Sequence, residues 1–320
     1  MKKLLPVFFL LSAFFSCDLK TVEGDKSLLP KSSGKFGEVL IVVDTLYENR
    51  QTGEALDKIF NQALVGLPQQ ESQFRVSTVP PKAFQSILKR GRNILKLSIG
   101  SNKKTAINIE DDVWAKDQLL IQITAGSDTD AARILDKNAE TIRNYFNEKE
   151  IERLQKQFAG KTQKKLMKEF SDKHKVNIKI PPGFVKMAQT DSSFWIRKEK
   201  SIGEHQILQG ISVFYEPYTT KKAFDRKYMA DKRNSFTAIN IQGTRDSSHM
   251  QIYADYKPDT LAINLQGNYA MEYRGLWNMK NDFMGGPFLQ YTLVDEKNNR
   301  VVHLDGFVYA PKFNKREYLR

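Results

Sequence analysis

One cysteine stands in 320 residues, so no intramolecular disulfide can hold this chain and its stability must come from a core. The histidines are equally sparse. His174, His205, His249 and His303 lie far apart, with no His-Glu-x-x-His and no cysteine pair, so solvated or core imidazoles are expected and no metal centre. Gly-x-Ser-x-Gly is absent, which removes the nucleophile elbow of an α/β-hydrolase. Ala159-Gly160-Lys161-Thr162 echoes the end of a phosphate loop, but Gln155 occupies the place of its first glycine and a helix precedes it, so no nucleotide cofactor is implied. Past the N-terminus no apolar run approaches the roughly 20 residues that a helix needs to cross a bilayer.

The first seventeen residues carry the clearest signal. Lys2 and Lys3 form a basic start, Leu4 to Phe15 an apolar stretch too short for a comfortable span, and Ser16-Cys17 closes it. This resembles a bacterial lipoprotein leader, whose cysteine is acylated and becomes the first residue of the mature protein. Phe14 and Phe15 depart from the leucine and small residue usual before such a cysteine. The resemblance implies lipidation at Cys17, attachment to a membrane through that lipid, and a mature chain that is soluble apart from its anchor.

Removing residues 1–16 leaves 304, enough for two ordinary domains or one large one. Residues 17–30 are polar and short of aromatics, as in a tether. From 31 to 176 the pattern predicts a layered α/β unit: strands at Glu38 to Asp44, Phe74 to Val79, Asn93 to Ile99 and Gln118 to Ala125, and a helix from Gly53 carrying Leu56, Ile59, Phe60, Ala63 and Leu67. A charged stretch from Ser127 to Lys175 follows, with apolar residues at helical spacing at Leu135, Ala139, Ile142 and Phe146, continuing at Ile151, Leu154 and Phe158. It predicts two long helices, or one broken near Ala159-Gly160. From 177 to 320 short strands and one helix at Thr220 to Arg233 predict a mostly antiparallel unit, ending in a hairpin whose arms are Phe288 to Val294 and Val301 to Tyr309. The fold class is α+β.

The chain is strongly basic. Its formal charge of +13 falls to +11 once Lys2 and Lys3 leave with the leader. The densest basic stretch holds Arg153, Lys156, Lys161, Lys164, Lys165, Lys168, Lys173 and Lys175, either a solvated helical face or a surface for anionic lipid or glycan. Nucleic acid is not expected as a partner of an exported lipoprotein. Glu110-Asp111-Asp112 reads as a solvated turn. Asp282, Asp295, Asp305 and His303 are candidates to meet Arg274 in a cleft. Tyr273, Arg274 and Trp277, with Tyr269, form the candidate ligand or partner surface, because aromatics and arginine dominate recognition faces; burial of Trp277 between Leu276 and Met279 in a core is the competing reading. Gly285-Gly286 is expected to supply positive φ before the hairpin.

Several separated motifs in order carry a family resemblance: Leu67-Pro68-Gln69, Val79-Pro80-Pro81-Lys82-Ala83-Phe84, Asp112-Val113-Trp114-Ala115-Lys116, Arg274-Gly275-Leu276-Trp277, Met284-Gly285-Gly286-Pro287 and Gly306-Phe307-Val308-Tyr309-Ala310-Pro311. Together they resemble, over nearly all of the mature chain, a Bacteroidota lipoprotein family known as domain of unknown function 4837. The resemblance implies an envelope lipoprotein of that phylum and brings no catalytic residue, cofactor or ligand. Asp18-Leu19-Lys20 lacks the acidic cluster of surface-exported lipoproteins there, so a periplasm-facing position is expected, with the choice of membrane open. A non-enzymatic binding or assembly component is the first expectation. An envelope glycan or peptide hydrolase using carboxylates of the C-terminal half is the alternative, and a structural spacer the third.

Overall fold

A computed structural model describes residues 26–319. The leader, Cys17 and most of the tether lie outside the described residues.

The N-terminal half forms a five-stranded sheet. Its elements are β1 (Glu38–Val42), α1 (Gln51–Phe60), β2 (Arg75–Val79), β3 (Asn93–Ile99), β4 (Ala106–Asp111), β5 (Leu119–Ala125), α2 (Asp128–Lys137) and α3 (Ala139–Phe158). The strand order is β2-β1-β3-β5-β4, parallel except for the edge strand β4. The β-branched runs of β1, β3 and β5 are buried on both faces, as parallel strands require. All three helices lie on one face, where Phe60, Phe74 and Phe146 meet ring to ring. The other face carries Val42, Ile94 and Leu120 under Phe84 and Trp114.

Two details differ from the sequence pattern. α1 stops at Phe60, because Ala63 pairs with Ser72 in an isolated bridge instead of continuing the turn. In α3 the buried stripe starts apolar and becomes charged: Ile142 and Phe146 are followed at helical spacing by Glu150 and Arg153, whereas Ile151 is 40 % exposed. Glu150 accepts from Asn93 Nδ2 at 2.7 Å, Arg92 at 2.7 Å and Arg153 at 2.8 Å, and Arg153 also donates to Asn93 Oδ1 and to the carbonyls of Arg92 and Asp117. Burial pulls the Arg153 guanidinium down to about 10.

The C-terminal half comprises α4 (Lys164–His174), β6 (Val185–Gln189), β7 (Ser193–Ile202), β8 (His205–Pro217), α5 (Arg226–Asn240), β9 (Met250–Ile252), β10 (Asp259–Leu265), β11 (Asn268–Met279), β12 (Gly285–Asp295) and β13 (Arg300–Tyr309). Its sheet is antiparallel in the order β10-β11-β12-β13-β8-β7-β6, with β9 beside β11. The fold is therefore α+β, with helices interleaved among the parallel strands of one half and laid on the antiparallel sheet of the other. Strand alternation separates the sheet's two faces. Phe194, Ile196, Val213 and Val302 meet Phe170 of α4, while Trp195, Phe214, Phe288 and Phe307 meet Met229 and Phe236 of α5. Sequence groups 164–176 with the N-terminal unit by charge; its apolar side chains pack on the C-terminal sheet.

The halves are clasped through main chain. Glu71 accepts from the backbone N–H groups of Lys315 and Arg316, and Tyr256 Oη accepts from Gly66 N–H.

Candidate functional site

α5 covers only part of its sheet face. Beyond its C-terminus lies an open groove of about 600 Å³, floored by Trp195, Leu208, Phe307 and Trp277 and walled by residues 239–244. Trp195 and Trp277 come from strands that are distant in sequence, yet both point to this face by the period-2 alternation of β7 and β11. Four of the chain's eight methionines, Met187, Met250, Met279 and Met284, line the same groove. Unbranched thioether side chains adapt to what lies against them, so such a lining suits an apolar occupant of variable shape.

Close approach of backbone builds the floor. A Cβ on Gly210 would fall 2.1 Å from the Phe307 ring, and one on Gly286 would fall 2.0 Å from the Val308 carbonyl oxygen and 3.3 Å from Trp277 Nε1. Gly285 and Gly286 do not have positive φ, so the expected reason for them is corrected: they lie in extended β12 and are needed because there is no room for a side chain.

The groove's polar groups are incompletely paired. The indole Nε1–H of Trp195 and of Trp277 has no acceptor, and Arg197 Nε has none either, although Arg197 pairs through its terminal nitrogen with Glu199 at 2.8 Å. Trp195 and Trp277 are 5 % and 2 % exposed, so solvent does not serve these donors. A buried unpaired donor costs about 1–3 kcal/mol, which makes two in one groove a feature to account for.

Deeper under α5 runs a polar stripe. Arg233, wholly buried, donates from Nε to Asp305 at 2.7 Å and stacks over the Phe288 ring at 3.9 Å, and Ser212 Oγ lies 3.5 Å from the same carboxylate. Farther along, His303 Nδ1 meets Thr292 Oγ1 at 2.9 Å, and its Nε2 is 3.9 Å from Glu216, beyond hydrogen-bond reach. Burial pushes the His303 imidazole below its ordinary value. Burial opposes ionisation of Glu216 too, but His303, Lys232 and Tyr228 outweigh it and hold the carboxyl at about 2.

The residues singled out by sequence divide between faces. Tyr273 and Trp277 face α5 and are buried among aromatics, and burial lifts the Tyr273 hydroxyl to about 12. Arg274 points to the opposite face, where it pairs with Glu272 beside Gly66. An exposed Tyr273–Arg274–Trp277 surface is therefore not formed; Tyr269, 57 % exposed, packs on Phe224. Nor do the C-terminal acids converge on Arg274: Asp305 pairs with Arg233, Asp295 with Arg300, and Asp282 accepts from Phe283 N–H. The expected acidic turn is corrected: Glu110 and Asp111 end strand β4, paired with Leu120 and Leu119, and Asp111 forms an ion pair with Lys149. Among the described residues no group of three or more His, Cys, Asp or Glu is placed to hold a metal, and no helix is long and apolar enough to cross a membrane.

The basic stretch is partly neutralised. Arg153, Lys156, Lys168 and Lys173 have carboxylate partners, whereas Lys161, Lys164 and Lys165 are exposed and have none among the described residues. Trp195, Arg197, Met187 and Met250 carry no signal in the sequence, and Met279 and Met284 enter there only as a core neighbour of Trp277 and as part of a family motif. The alternation of Phe194-Trp195-Ile196-Arg197 does place a tryptophan and an arginine on one face, but only the sheet order brings Trp277 beside them.

No curated protein matches the chain. Among solved structures it is similar to a point mutant of protein Mog1, at 14 % identity over 42 % of this chain and 72 % of that one, with a TM-score of 0.26. The Saccharomyces cerevisiae Ran-binding protein Mog1p is similar at 13 % identity over 43 % and 72 %, also at 0.26. The single family expected over nearly the whole chain is in fact two. Residues 32–159 match the domain of unknown function 8532, and residues 163–320, which carry α4, the groove and the entire eight-stranded sheet, match the domain of unknown function 4837.

Proposed function

We propose that this protein is a non-enzymatic binding component of the cell envelope, a lipoprotein of the Bacteroidota type anchored through Cys17 and facing the periplasm, and that the indole groove is where it binds. The observation that carries the reading is the pair of buried, acceptor-less indole N–H groups in a groove lined by methionine. An apolar ligand or partner segment bearing carbonyl oxygens supplies the missing acceptors, and methionine rotamers give it access. The hydrolase alternative needs two acids with separated pKa values within reach of one bond. Against it, Asp305, Asp295, Glu216 and Glu272 each engage a basic side chain. Lys161, Lys164 and Lys165, without a carboxylate partner among the described residues, lie at and just before the N-terminus of α4 and are the surface proposed for anionic lipid or glycan.

The test is a titration of the full chain with 6-propionyl-2-dimethylaminonaphthalene, an apolar naphthylamine that carries a carbonyl oxygen, read by the probe's own emission. Saturable binding that falls about tenfold in Trp277→Phe supports the reading. Binding that is non-saturable, or of unchanged affinity in both Trp195→Phe and Trp277→Phe, defeats it. Incorporation of labelled palmitate, lost in Cys17→Ser, checks the anchor separately.

A further inference from the structure

The opposite face of the C-terminal sheet carries a second cavity, of about 420 Å³, open to solvent on one side and bordered by the end of α3. Leu154 and Phe158 of α3, Phe184, Ile211, Leu304 and Tyr318 line it with carbon. Two charged side chains contribute to the lining, Lys198 and Glu317; Asp305 borders the cavity too, but its carboxylate lies on the α5 face of the sheet. Asp305 is paired with Arg233 at 2.7 Å and Glu317 with Arg75 at 3.2 Å. Lys198 is half-buried, rests 5.9 Å from the Phe184 ring centroid and has no carboxylate partner among the described residues. The cavity is thus an apolar chamber with one uncompensated positive charge.

We propose that this chamber binds a single unbranched aliphatic chain ending in a carboxylate, with the head on Lys198 Nζ and the tail between α3 and the sheet. A methylene takes about the room of a water molecule, roughly 30 Å³, so the volume suits about a dozen carbons. Charge complementarity selects the head: a cationic amphiphile would set two positive charges together, and a neutral one would leave the amine without its counter-ion. The only residue the site shares with the indole groove is Phe307, whose ring lies on the groove face. It goes beyond the function proposed above and does not depend on it.

The experiment is calorimetry on the full chain carrying Cys17→Ser, purified without detergent, with decanoate, dodecanoate, dodecanol and dodecyltrimethylammonium as probes. Dodecanoate is expected to bind one to one and about fourfold per methylene tighter than decanoate, the factor carried by burying each CH₂. Lys198→Ala is expected to weaken dodecanoate at least tenfold and leave dodecanol unchanged, and Leu154→Trp, which fills the chamber, to weaken both. Absence of dodecanoate binding overturns the proposal, as does equal affinity in Lys198→Ala or binding of dodecyltrimethylammonium as tightly as dodecanoate. Displacement of naphthylamine by dodecanoate would place the chain in the indole groove and overturn it too; failure of naphthylamine to bind leaves this result untouched.

Discussion

Glu150 and Trp277 represent two ways of burying polar atoms in one chain. In the N-terminal half the Glu150 carboxylate is completely enclosed, and every oxygen meets a donor from Asn93, Arg92 or Arg153. In the C-terminal half the Trp277 indole is equally enclosed and its donor meets nothing. The contrast is general: of nine buried side-chain polar atoms without a partner among the described residues, eight lie in the C-terminal half, and the exception is Arg92 Nε. A half with its polar groups satisfied is finished by folding alone. A half that leaves donors open in a groove keeps polar atoms for which folding alone supplies no partner, and it is on this difference that the proposed binding role of the antiparallel half rests.

The strongest way to break this comparison is to open the satisfied network. Glu150→Ala leaves Arg92 and Arg153 facing each other without their counter-ion, and removing one partner of a buried ion network costs about 3–5 kcal/mol. Urea denaturation should show that loss. Asp305→Ala, which strands the wholly buried Arg233, belongs in the same range. A loss below about 1 kcal/mol for Glu150→Ala would mean that water already reaches the network, and the contrast between halves would lapse.

A weaker effect comes from acid. His174 is buried with Nδ1 3.0 Å from Tyr215 Oη, and that hydroxyl donates onward to the Asp191 carbonyl, so Nδ1 is the donor; Gln189 Nε2 donates to Nε2 at 2.9 Å. Both ring nitrogens are engaged by a neutral imidazole. Burial, then Lys173 and Arg300, lower its pKa from the ordinary 6.5. The unfolded chain therefore takes up the proton first, and the stability contributed by neutral His174 is present above pH 6.5 and lost as pH falls below it. His303 acts in the same direction, each imidazole steepening the slope by at most about 1.4 kcal/mol per pH unit. Denaturation midpoints between pH 7 and pH 5 should flatten in His174→Gln and again in the double variant with His303→Gln; an unchanged slope would show that carboxylates alone govern acid stability.

Much of the fold was legible because its signals are local. The β-branched runs Glu38 to Val43 and Asn93 to Ile99 and the hairpin through Glu296 to Asn299 stand where residue alternation and turn chemistry put them. In the sequence β11 looks like a patch of recognition residues instead of a strand, because its buried positions hold tyrosine, glycine and tryptophan on one face while arginine and glutamate pair on the other. α5 starts six residues later than the pattern suggests and carries a buried arginine in its middle, whose partner Asp305 is 72 residues away. Charge is visible in a sequence, but the pairing that makes it buried is not. The groove was hidden for the same reason: its tryptophans and methionines are apolar residues like any others until the sheet order sets them around a space that α5 does not fill.

The smallest expected effect is the sharpest test of the comparison. Trp277→Phe removes an open donor and some ring volume; relief of the unpaired N–H offsets the lost packing, so the net change should stay within about 1 kcal/mol. Glu150→Ala takes away a carboxylate whose every contact is used, and should cost several times more. The two variants should also separate in binding, with naphthylamine affinity lost in Trp277→Phe and kept in folded Glu150→Ala. If Trp277→Phe instead destabilises the chain as much as Glu150→Ala does, the indole is a packing element, its open N–H is tolerated as the cost of a well-filled core, and the antiparallel half is as complete as the parallel one.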